Sequence, residues 1–135
     1  MATESKVTVQ QLMGVCDPTI AIIRVINQPY LKQFLVLSKK STTKIQPNTY
    51  TVKVEVNTPK ITPQSKIKVA CSCNDFRYRQ AKCFYDKGAL LVPEDYLIKL
   101  DGQEINPDKT NPGCKNFRPC KHIKCALKYG LEHGI

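Results

Sequence analysis

KIKVACSCND, residues 66–75, joins the two patterns that decide how this chain folds. Ile67, Val69, Cys71 and Cys73 share one parity, so a regular strand sends all four side chains to the same face. The apolar face therefore ends in two thiols aimed the same way, about 7 Å apart along the chain by strand rise. A slight bend after the strand brings both sulfurs to one ion. Asn74 or Asp75 then fits a helix N-cap. FRYRQAKCFYDK (76–87) fills a helix that Gly88 stops. Phe76, Gln80, Cys83, Phe84 and Lys87 form one stripe of it, and Tyr78, Ala81 and Tyr85 an adjacent one.

Upstream, TVKVEVN (51–57) alternates strictly, with Val52, Val54 and Val56 on one side and Lys53 and Glu55 on the other. That is a strand with one buried face. IAIIRVI (20–26) and FLVL (34–37) are rich in β-branched and bulky residues and are separated by the turn-like NQPY. Downstream, Asp101-Gly102 between YLIKL and QEI predicts a two-residue hairpin. A polar loop with three prolines follows. CKHIKCALKY then reads as a helix that begins near Pro119 or Cys120 and stops at Gly130. The expected fold class is α+β. A β-rich segment over 1–65 is joined to a metal-stapled strand and helix segment over 66–135, both within one compact domain.

The chain has 135 residues, 41% of them hydrophobic, enough for a packed core. Its apolar runs are far shorter than the roughly 18 residues a membrane span needs, and MATESKVTVQQ lacks the apolar core of a signal peptide. An odd cysteine count, seven, in that context argues against a secreted disulfide framework. The net charge is +10. Residues 114–128 carry Lys115, Arg118, Lys121, Lys124 and Lys128 with no acid, whereas 86–108 hold six acids. Such a basic stretch suits phosphates or an acidic protein surface, and equally suits plain solvation.

Cys71, Cys73, Cys120 and His122 form a C-x-C…C-x-H arrangement, one pair at a strand end and the other at a helix start. Zinc accepts a Cys₃His set in tetrahedral geometry, and a helix N-terminus favours thiolate over thiol. Cys114, six residues before Cys120, could substitute for any member of the set. Cys16, Cys83 and Cys125 read instead as small buried hydrophobes. With four protein ligands the zinc is a staple and not a Lewis acid. Cys120 and His122, two apart on a helix, do not face each other as a nucleophile and base would. No phosphate loop or dinucleotide fingerprint is present. No enzyme and no small-molecule substrate are expected.

The C-x-C…C-x-H pattern followed by a helix resembles the SWIM zinc finger, a compact β-β-α module. It is also similar to small structural proteins of tailed-phage virions, through CSCNDFRYR (71–79), NPDKTNP (106–112) and PCKHIKCAL (119–127). The pattern departs at Cys114 and at KNFR before Pro119. The resemblance covers the C-terminal half and says little about residues 1–65. It implies a virion component of the head–tail connector, tail or baseplate, made in the host bacterial cytoplasm, with other virion proteins as partners. The alternative it implies is a nucleic-acid-binding SWIM-like protein that uses Lys115, Arg118, Lys121, Lys124 and Lys128.

Overall fold

Period-two patterning builds a four-stranded antiparallel sheet of order β1-β2-β3-β4 from β1 (Ile20–Gln28), β2 (Leu31–Ser38), β3 (Asn48–Val56) and β4 (Ile67–Cys71). This computed structural model describes residues 5–38, 48–73, 76, 80–91 and 118–135. The helices among them are α1 (Val9–Leu12), α2 (Ala81–Asp86) and α3 (Lys121–Glu132). The predicted hairpin at Asp101-Gly102, the cap at Asn74 or Asp75 and the proline-rich loop lie outside the described residues. The α+β class holds, with β1–β3 from the first expected segment and β4 from the second.

The register aligns one apolar face. Phe34 pairs Val52, Val52 pairs Cys71, Val54 pairs Val69 and Val56 pairs Ile67. All of these are buried. Against this face lies α3, which contributes the fully buried Ile123, Ala126 and Leu127. The parity expected for Ile67, Val69, Cys71 and Cys73 is observed, since each is at most 3% exposed. Of the stripes expected over 76–87, Phe76, Gln80, Cys83 and Phe84 are buried, but Lys87 and Tyr85 face solvent, so the buried face is narrower than expected, and α2 itself covers Ala81–Asp86.

Gly88 stops α2 at φ 70°, with Gly88 N–H bonded to Tyr85 O and Ala89 N–H to Phe84 O. This is a Schellman ending. The stop expected at Gly130 is wrong by a turn. The helix continues to Glu132 and closes at Gly134 (φ 65°), with Ile135 N–H donating to Gly130 O at 2.9 Å. Gly130 serves close packing: a Cβ there would sit 2.8 Å from Ile61 Cδ1.

The N-terminal segment, read from sequence only as polar, completes the core. Val7, Val9 and Leu12 are buried, Ile67 N–H donates to Val7 O, and Val9 N–H donates to Ser65 O. On the same side of β4, Val69 N–H donates to Ala89 O and Leu91 N–H to Val69 O. That edge of the sheet is thus covered.

Lys32 shares the buried parity of Phe34 and Val36 and is 1% exposed. Its ammonium donates to Asn27 Oδ1 (2.6 Å), Gln28 O (2.7 Å) and Pro59 O (2.7 Å), so all three protons are used. Burial, and then nearby Lys60, lowers its pKa. The cage ties the β1–β2 hairpin to the loop after β3. Lys32→Met keeps the apolar stem and orphans three acceptors, which costs about 3 kcal/mol. Urea unfolding checks this, and a loss below about 1 kcal/mol contradicts the cage.

Candidate metal centre

Strand β4 delivers Cys71 at its end, and the chain bends at Cys73. Ser72 is pinned to β3 between them: its N–H donates to Thr51 O, and its Oγ accepts from Thr51 N–H. The Phe76 N–H donates to Cys73 Sγ at 3.4 Å, which orients that sulfur. Across the core, Cys120 is the N-cap residue of α3 and His122 lies in its first turn. The ligand atoms of Cys71, Cys73, Cys120 and His122 all lie within 4.8 Å of one another, and all four residues are buried.

Tetrahedral coordination at about 2.3 Å for sulfur and about 2.1 Å for nitrogen separates the donors by roughly 3.6–3.8 Å. Cys71 Sγ and His122 Nδ1 are 3.8 Å apart. Among the described residues, Nε2 of His122 is a buried polar atom without a hydrogen-bond partner. Tyr50 of β3 stacks on the imidazole, centroids 4.4 Å apart and planes tilted by 36°. Burial, then the neighbouring Cys73 thiolate, raise the Tyr50 pKa. The four side chains can therefore hold one metal ion.

Comparison with known proteins gives no match: no family model, no curated protein and no solved structure aligns with this chain. The chemistry of the site carries the functional reading.

Without an ion the three sulfurs share protons. Hydrogen bonds with Cys120 and Cys73, then burial, push the Cys71 thiol far above its ordinary pKa. Hydrogen bonds from Cys120 and Cys71 hold Cys73 as the thiolate, well below the ordinary value, although burial opposes this. Burial keeps Cys120 protonated, against a bond from Cys71. Binding an ion as three thiolates therefore expels two thiol protons near neutral pH. Protons are bound in the free state and absent in the loaded one, so affinity rises with pH, by roughly a hundredfold per unit. Calorimetric titrations in buffers of different ionisation enthalpy count the protons directly. A count of three, as for ordinary thiols, or of zero contradicts the shared-proton cluster.

The other sequence-selected residues behave differently. Cys114 and Lys115 lie outside the described residues. Arg118 and Lys121 are exposed, Lys124 is half-buried with its stem over Gly14, and Lys128 is 3.9 Å from Glu132. Reading Cys16 and Cys125 as unpaired hydrophobes is corrected. They form a disulfide, because the segment after α1 crosses α3 and brings their Cα atoms to 4.6 Å. Cys83 is also disulfide-bonded. Sequence reasoning missed Tyr50 as well. Its signal was present: Tyr50 has the parity of Val52 and Val54, which places its ring on the core face.

Proposed function

We propose that this chain is a non-enzymatic structural and interaction module locked by zinc at Cys71, Cys73, Cys120 and His122. The observation that carries this reading is the buried Cys₃His set within 4.8 Å. Three thiolates and an imidazole suit zinc in closed tetrahedral geometry and leave no position for a substrate. Zinc there supplies cross-linking and neutralises buried thiolates. Cys71 and Cys73 hold it on the sheet, Cys120 and His122 hold it on α3, and the Phe76 N–H steadies Cys73.

The resemblance of CSCNDFRYR and PCKHIKCAL to tailed-phage virion proteins supports a place in a phage particle. The nucleic-acid alternative is weaker at Lys128, whose charge is partly taken up by Glu132. Two measurements test the reading. Elemental analysis is expected to find one zinc per chain, and none in Cys73→Ser. Mass spectrometry of purified particles is expected to find the chain at fixed copy number. Its absence from particles, together with DNA binding that weakens steeply with salt, would favour the alternative.

A further inference from the structure

The two edges of the sheet are treated differently. The β4 edge is covered by residues 7–9 and 89–91. The β1 edge has no backbone partner among the described residues beyond β2. Natural edge strands are usually blunted by charge, proline or bulges. Here the nine residues IAIIRVINQ carry one charge, Arg24. A bulge does occur, between Ile22 and Arg24, but it lies towards the start and leaves Arg24–Gln28 regular. Along this regular stretch only Val25 is partly buried, and Ile26 is 42% exposed.

We infer that the β1 edge pairs antiparallel with β1 of a second copy, about a two-fold axis at Ile26, giving a continuous eight-stranded sheet. An antiparallel edge is self-complementary, which is what a two-fold interface requires. Charge rules out an axis at Arg24, and the exposed apolar side chain of Ile26 favours the axis at that residue. With the axis at Ile26, Ile26 faces its own copy, Arg24 faces Gln28 and Val25 faces Asn27. With the axis at Arg24, two guanidinium groups would meet directly, which is unfavourable. Arg24, Ile26 and Gln28 lie on the sheet face away from α3, because the buried-face partners are Val25 with Phe34 and Asn27 with Lys32. The axis therefore brings together two exposed isoleucines without disturbing the core or the metal centre. The pairing stands independently of the bound ion.

The test is sedimentation of the full, metal-loaded chain. Strand pairing alone buries less than a standard interface, so the dimer is expected in the micromolar range, over about 5–300 µM chain. Ile26→Lys places like charges on the axis and is expected to be monomeric with unchanged circular dichroism. Directly opposed Cα atoms lie about 4.5–5.5 Å apart, within disulfide reach. Mild oxidation by dissolved oxygen, each bond releasing two protons and two electrons to the oxidant, is expected to cross-link Ile26→Cys into a covalent dimer. Gln28→Cys, opposite Arg24 and leaving the guanidinium in place, is expected not to cross-link with itself. A wild-type monomer over the whole range overturns the proposal. So does a dimer that survives Ile26→Lys, or equal cross-linking of the two cysteine variants.

Discussion

Removing the bound ion with a strong chelator is expected to unfold the packing of α3 on the sheet, with the melting midpoint falling by more than about 20 °C. The magnitude follows from competing contributions. Structural zinc sites contribute on the order of 10 kcal/mol of apparent binding free energy, comparable to the whole stability of a small domain. The burial of Ile123, Ala126 and Leu127 on α3 contributes roughly 5 kcal/mol by area. That must also offset the ordering of a twelve-residue helix. The first turn of α3 has no acidic residue to complement the helix dipole, and Lys121 opposes it. Cys120, the N-cap residue, supplies that negative charge only when a bound ion displaces its proton. Cys73→Ser and His122→Asn should each reproduce the chelator effect. Near-ultraviolet circular dichroism during chelation checks the loss of packing. A chain purified from zinc-replete cells that melts identically with and without chelator would sink the structural role.

The second large effect is expected from the disulfide. Cys16–Cys125 closes a sequence separation of 109 residues. In the chain-entropy description a loop of that size is worth about 4.7 kcal/mol. In the metal-loaded chain the ion would already link the sheet to α3, which roughly halves the effective loop and removes about 0.6 kcal/mol. Cys16→Ser is therefore expected to lose about 4 kcal/mol, and the double variant with Cys125→Ser should lose no more, because both changes delete the same bond. Urea midpoints of the metal-loaded chains decide this. Additive losses from the two single variants would mean that each cysteine acts through packing instead of through the bond.

The strands and the Cys/His cluster were legible because their signals are local. The parity of Ile67, Val69, Cys71 and Cys73 needs only a two-residue period. The placing of Cys120 and His122 needs only a helix start after Pro119. Lys32 was illegible for the opposite reason: charge argues for solvent, and only the coincidence of Asn27, Gln28 and Pro59 around the ammonium reverses it. The Cys16–Cys125 pair depends on where a short N-terminal segment crosses a helix more than a hundred residues later, and no spacing encodes that. Gly130 looked like a stop because glycine usually ends helices, whereas here Ile61 occupies the space a side chain would need. Residues 5–12 were missed because a segment bonded along β4 without joining the sheet as a long strand leaves little alternation to read.

The strand order β1-β2-β3-β4 has a consequence in time. Each strand pairs with its neighbour in the sequence, so the sheet assembles through short-range contacts that form early. The links to α3 span 51 residues from Cys71 to His122 and 109 from Cys16 to Cys125, so they close late. Interactions absent from the folding transition state act mainly by slowing escape from the native state. An ion bound at this cluster, together with the disulfide, would thus act chiefly as a brake on unfolding, and the assembled chain is expected to owe its lifetime to them more than its speed of formation.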